Sequence, residues 1–172
     1  MQLRNIREQD YGPIISVIDH WWGGRRMADM LPRLFFQHFQ DTSFVVEENG
    51  RIIAFLVGFV SQSQPEQAYI HFVGVHPEFR QRGLACQLYD RFFAVVRERG
   101  CREVRCITSP ANQSSIAFHT AMGFEIEPGD AEVDGVQVTT DYDGRGGDRV
   151  RFVRKVGCAA GESAHLGDIC VP

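Results

Sequence analysis

Hydrophobic positions change period several times along the chain, and each change predicts an element. Residues 2 to 7 read as a first strand. From Asp10 onward, Ile14, Ile15, Val17 and Ile18 recur at helical spacing, which predicts a helix capped by Asp10 and ending near His20. Trp21-Trp22-Gly23-Gly24-Arg25-Arg26 then reads as a loop, whose indoles either wall a pocket or pack down on the core. Pro32 suits the first turn of a second helix, with Leu34, Phe35 and Phe39 on its apolar side and its end near Gln40. From Ser43 the pattern turns to strands. Asn49-Gly50 between two β-rich runs predicts a hairpin, and the second run is apolar along most of its length, as a central strand covered on both faces requires. Ala68 to Val75 is the next strand, and a period of two puts Tyr69, His71, Val73 and Val75 on one face.

Pro77 ends that strand, and Gly83 opens a long amphipathic run. Leu84, Leu88, Phe92, Val95 and Val96 fall on one side of it, with Arg91, Arg97, Glu98 and Arg99 mostly on the other, and Gly100 stops it. Glu103 to Ile107 reads as a strand, Ser109 to Asn112 as a turn, and Ser114 to Met122 as a helix stopped by Gly123. A helix between two strands fits a parallel crossover. Phe124 to Glu127 is a short strand, residues 128 to 148 a Gly- and Asp-rich connection, and Arg149 to Val156 a last strand. Residues 157–172 lack periodicity, so one domain is expected over residues 1–156, followed by a loosely held tail.

The turn between Val73 and Ala85, V-G-V-H-P-E-F-R-Q-R-G-L-A, says most about function. Strand, turn and helix succeed one another within a few residues, with Arg80 and Arg82 flanking Gln81 and a glycine at the helix start. Free N–H groups at a helix N-terminus, the helix dipole and a glycine that admits a ligand to the main chain favour a phosphate-bearing ligand. The plain alternative is an ordinary connection with solvated arginines.

Composition narrows the field. The 172 residues are 44% hydrophobic and 23% charged, as expected of a soluble globular domain. A net charge of −4 gives no reason to invoke nucleic acid. No run approaches a membrane span and the N-terminus lacks a signal-like apolar core, so a cytoplasmic protein with no membrane partner is expected. Cys86, Cys101, Cys106, Cys158 and Cys170 form no C-x-x-C pair, which favours reduced thiols over a disulfide framework or a structural metal site.

The hairpin, the next strand, R-Q-R-G-L-A, a helix, a strand and then N-Q-S-S-I-A-F-H-T-A-M-G-F follow one another in an order that resembles the GNAT superfamily of acetyl-CoA-dependent N-acetyltransferases. Its Q/R-x-x-G-x-G/A turn is met by Arg80, Gly83 and Ala85, and its later signature by Asn112 and Gly123-Phe124. The resemblance implies an α/β fold: a mixed central sheet of about six or seven strands, flanked by about four helices and splayed at the cofactor site. It implies acetyl-CoA as co-substrate, no metal, and a homodimer as a common assembly. It places the pyrophosphate on the main chain around Gln81, Arg82, Gly83, Leu84 and Ala85, beside Arg80. The pantetheine arm would lie along the strand end at Val73 and Val75, with Asn112 near the pantetheine or thioester. P-loop and Rossmann signatures are absent from the strand-to-helix turns.

The implied chemistry is attack of a neutral amine on a thioester, which calls for a base and tolerates an acid for the leaving thiolate. Family members commonly carry a Tyr where this chain has His119, and several carry a Glu where it has Tyr69. Imidazole, with an ordinary pKa of about 6.5, can serve as acid at His119; equally, His119 can simply pack beside the cofactor. His71 is the better base, with Tyr69 positioning a water; a buried, structurally satisfied His71 is the competing reading. His119 would also contact the cofactor. Candidate acceptor walls are Trp21, Trp22, Phe36 and Asp141-Tyr142-Asp143, although that acidic run also reads as a solvated loop. The acceptor is expected to be a small-molecule or peptide amine. The rival function is a non-catalytic acyl-CoA-binding module, for which the missing Glu and Tyr argue.

Overall fold

A seven-stranded sheet organises residues 1–157, which are those that the computed structural model describes. Its strands are β1 (Gln2–Asn5), β2 (Phe44–Glu48), β3 (Arg51–Val60), β4 (Gln67–Val75), β5 (Glu103–Thr108), β6 (Glu125–Ile126) and β9 (Val150–Lys155), ordered β1-β2-β3-β4-β5-β9-β6. A separate hairpin pairs β7 (Ala131–Val133) with β8 (Val136–Val138). The β2–β3 hairpin turns through Asn49-Gly50, as the sequence predicts. Neighbouring strands run antiparallel except β4 and β5, which are parallel and joined by the helix α4 (Leu84–Glu98). The helix α5 (Gln113–Ala121) connects β5 to β6, and β9 inserts between those two strands.

One face of the sheet is covered by α4, whose Leu84, Leu88, Tyr89, Phe92 and Val96 join Ala54, Leu56, Ala68 and Ile70 in one core cluster. The other face is covered by α1 (Tyr11–Ile15), α2 (Ile18–Trp21) and α3 (Leu34–His38), whose Ile14, Ile18, Trp21 and Phe36 meet Val45, Phe55, Val57 and Phe72. Each such side chain taken out of water contributes about 1.5–3 kcal/mol, so the central strands β3 and β4 are fixed from both sides.

Several expectations are corrected. The single helix from Asp10 to His20 is two short ones, broken at Ser16 and Val17; Pro13 and the β-branched run Ile14, Ile15, Val17, Ile18 weaken a continuous helix. Asp10 is no cap for it. Its carboxylate accepts the Arg7 N–H at 2.7 Å and pairs with Arg4 at 2.8 Å. Trp21 is helical and buried rather than part of a loop. In α3 the side facing the core is Phe36, fully buried, while Leu34 is 45% exposed, because a helix of five residues presents one anchor and not a stripe. Phe36 therefore cannot wall an acceptor pocket. Cys101 and Cys106 are free buried thiols, as expected; Cys86 is disulfide-bonded, against expectation. Cys158, Cys170 and almost all of the expected tail lie outside the described residues.

The most consequential correction lies in β4. Gly58 of β3 faces Ile70, but the next residue, Val57, faces Phe72, so His71 is an extra residue on β4. A bulge of this kind reverses the alternation beyond it. Tyr69 and His71 therefore lie on the α3 side, where Phe59 and Phe35 stack on them, whereas Val73 and Val75 pack with the α4 cluster. The four residues do not share one face.

Candidate active site

Parallel pairing of β4 with β5 covers only Gln67, Ala68 and Tyr69 against Glu103, Val104 and Arg105. Both strands continue, β4 to Val75 and β5 to Thr108, without further pairing between them. The bulge at His71 falls just past the last paired residue, where it turns β4 away from its neighbour. The edge of β4 beyond Tyr69 is thus left open, and a cleft of about 640 Å³ lies against it.

The mouth of the cleft is the turn into α4. Gly83 sits at φ 72°, a left-handed conformation that costs an ordinary residue about 1–2 kcal/mol. A methyl group built on it would meet nothing within 4 Å, so the turn has open space in front of it. Gln81, at φ 61°, shares the left-handed geometry. Alternating backbone of this sort turns successive N–H groups to one side. Arg80 fixes the turn from behind: its Nε donates to the Val75 carbonyl at 3.3 Å, and its guanidinium donates to the Trp21 carbonyl. The cleft also meets the start of α5, where Asn112 Oδ1 accepts from Ser115 N–H at 3.3 Å and from Ser114 Oγ at 3.0 Å, leaving the amide nitrogen out of these bonds.

Val73, Val75, Arg80, Gln81, Gly83, Leu84, Ala85, Asn112 and His119 all line this one cleft. Arg82 does not; it is exposed, with its guanidinium 4.8 Å from the Phe79 ring centroid. Both of the paired tryptophans line the cleft: Trp22 packs on Phe72 at 5.2 Å, while Trp21 keeps only 2% of its surface exposed. Trp22 owes its place to Gly74, where a methyl group would come within 2.7 Å of the indole and 2.6 Å of Phe55. A glycine inside a strand signals such close approach, and that signal was there to be read.

His119 is buried at the inner wall. Its Nδ1 is 2.7 Å from the Ser115 carbonyl, to which it donates, and Nε2 accepts from the Tyr89 hydroxyl at 2.8 Å. The ring stacks on Phe152 at 4.9 Å. Burial lowers its pKa, and the bond to Ser115 opposes this in part. Tyr89, fully buried on α4, has its pKa pushed well up by desolvation, so it remains a phenol and a donor. Sequence reading missed Tyr89 because nothing marks a core tyrosine as the partner of a histidine thirty residues on.

Tyr69 and His71 stand apart from that lining, on the other side of β4. His71 Nε2 is 2.7 Å from the Met30 carbonyl, which requires Nε2–H and leaves the lone pair on Nδ1. Phe35 stacks on the ring at 4.2 Å and 16°. Burial lowers the His71 pKa, opposed by the bond to Met30 and by the Asp143 carboxylate. Tyr69 stacks on Phe59 at 5.5 Å, and desolvation raises its pKa, with Tyr142, Cys106 and Asp143 adding to the rise. Asp143 itself pairs with Arg149 at 2.7 Å, and Asp141 Oδ1 accepts from Gly146 N–H, so the acidic run is tied internally.

A parallel strand pair that opens after three residues, with a glycine-capped helix at its mouth, places the protein in the GNAT fold class. The chain belongs to the acetyltransferase (GNAT) family, whose model matches residues 2–124. It is 27% identical over 130 residues to an acetyltransferase of Pectobacterium atrosepticum, covering 73% of this chain and 88% of that protein. Among solved structures, Ard1 from Thermoplasma volcanium superposes with a TM-score of 0.71 at 19% identity, over 90% of this chain and 96% of that one. Diaminobutyrate acetyltransferase from Paenibacillus lautus, solved with L-2,4-diaminobutyric acid and coenzyme A, superposes at 0.65 with 20% identity, over 93% and 98%. At such identities these structures bear on the fold alone. The family uses acetyl-CoA. Among the described residues no cluster of His, Cys, Asp or Glu is arranged to hold a metal, and no helix is long and apolar enough to cross a membrane.

Proposed function

We propose that the protein moves an acetyl group from acetyl-CoA to a primary amine by direct attack in a ternary complex. One observation carries the reading: β4 is open along its edge between Tyr69, where pairing with β5 ends, and the Gly83 turn, which lines the same cleft with open space before its glycine. The chain's own groups fit an extended thioester cofactor. The amides of residues 81–85 suit a pyrophosphate, with Arg80 holding the turn in shape. The exposed strand edge at Val73 and Val75 suits the amides of a pantetheine arm, and the Asn112 amide reaches the same cleft. Bound there, acetyl-CoA supplies the activated acyl carbon.

The reaction exchanges a C–S bond for a C–N bond; the amine gives up a proton and the thiolate takes one. His71 is the proposed base, since Met30 holds it in the tautomer with a free Nδ1 lone pair and burial keeps it neutral. Tyr69, still a phenol, orients a water or the amine beside it. For His119 a specific observation favours support over proton donation: both ring nitrogens are engaged, and its single N–H goes to Ser115. The thiolate then takes its proton from water. A soluble, cytoplasmic enzyme that works as a homodimer is the accompanying expectation.

Initial-rate kinetics test the mechanism. Lines that intersect when both substrates are varied, with no acetyl group on the protein by intact mass, are expected. Parallel lines with an acetylated protein would point to a covalent route. Acetyl-CoA binding without thiol release against any amine would favour the non-catalytic binding module.

A further inference from the structure

The α3 side of the bulge carries a band of aromatic rings that the core does not absorb. Phe59 lies between Tyr69 at 5.5 Å and Phe39 at 5.3 Å, and Phe35 joins it at 6.5 Å while covering His71 at 4.2 Å. These rings come from α3, the residue that follows it, β3 and β4, and each keeps part of its surface in water. The Phe44, Phe55, Phe92 and Phe152 rings, by contrast, are wholly buried. Asp143, paired with Arg149 at 2.7 Å, is near enough to act on both Tyr69 and His71. The arrangement is thus an apolar surface that leads to the His71 imidazole, with the Asp143–Arg149 ion pair nearby.

We propose that this aromatic band is the acceptor's specificity wall, and that the acceptor is a small primary amine carrying an aryl group a short carbon chain away from its nitrogen. The inference rests on the acetyl-transfer reading and deepens it. A planar group packs on the water-facing parts of the Phe59 and Tyr69 rings and excludes water from them, while the amine loses its proton at His71 Nδ1. A polyamine or an amino acid with a second charge gains nothing from such a wall and leaves its additional charge desolvated.

Thiol release from acetyl-CoA should be followed with 2-phenylethylamine, propylamine, spermidine and L-2,4-diaminobutyrate. The expected result is a kcat/KM for 2-phenylethylamine at least about tenfold above that for propylamine and above both charged amines. Phe59→Ala should erase most of that advantage through the acceptor KM, and leave acetyl-CoA affinity alone. Phe59→Leu, which keeps the apolar volume, guards against a folding defect and should lose part of it. Spermidine or diaminobutyrate as best acceptor, or a preference that Phe59→Ala leaves untouched, overturns the aryl wall while acetyl transfer stands. If Phe59→Ala instead abolishes a dimer seen by sedimentation with the preference unchanged, the band is an interface between copies and the inference falls. No thiol release with any amine would overturn the transfer reading itself, and the inference with it.

Discussion

The two sides of β4 are built by different means. On the side of α4 and α5 the cleft is largely a main-chain construction: an open strand edge, a left-handed glycine and the first turn of a 15-residue helix. Beyond the bulge, on the α3 side, the candidate acceptor site consists of side chains from α3, β3, β4 and the 141–149 segment, held by stacking and by one histidine bond to Met30. A main-chain site depends on a few conformational requirements that a short motif can encode. A side-chain site depends on which elements meet, so it can change its specificity without disturbing the donor side.

Substitutions should separate the two. The largest effect is expected for His71→Gln, which removes the lone pair on Nδ1: turnover should fall by about a hundredfold or more, with acetyl-CoA affinity within a factor of two of wild type by calorimetry. The pH profile sharpens the assignment. Burial disfavours the imidazolium, so the neutral base survives to lower pH than an ordinary histidine, and the acidic limb of kcat/KM should lie below pH 6.5. A limb at or above that value, or one unchanged in His71→Gln, places the base elsewhere.

Gly83→Val should do the reverse at a smaller scale. A Cβ there meets nothing within 4 Å, but the left-handed conformation costs about 1–2 kcal/mol, and the added methyls take up space in front of the turn. The KM for acetyl-CoA should rise about tenfold or more while the acceptor KM stays put. His119→Ala should affect folding before chemistry. It orphans the buried Tyr89 hydroxyl at a cost of about 1–3 kcal/mol, seen as a lower denaturation midpoint, while turnover per folded molecule falls less than tenfold. A hundredfold loss in a well-folded His119→Ala protein would make His119 the acid after all.

How much of this could be read from the residues follows the same division. The turn at Arg80 to Ala85, the turn ending at Asn112 ahead of α5 and the Asn49-Gly50 hairpin are local signals, and the structure has them where the pattern predicts. The β7–β8 hairpin was also signalled, by Asp134-Gly135, but its strands are three residues each and are lost in a Gly- and Asp-rich background. The bulge left no local mark: β4 alternates intermediate and buried residues without a break, although its faces exchange at His71. Strand periodicity therefore grouped His71 with Val73 and Val75, and tertiary pairing separated them. Tyr89 against His119, and Phe35 over His71, are contacts between distant segments that no spacing rule brings together.

Amide hydrogen exchange with and without acetyl-CoA tests the donor side most directly. Protection is expected along residues 71–75 and 81–85, with the amides of α3 and of residues 141–149 unchanged until an amine product analogue is added. Protection confined to α3 and residues 141–149, or none at the Gly83 turn under saturating acetyl-CoA, would contradict a cofactor site built from the main chain of the opened strand.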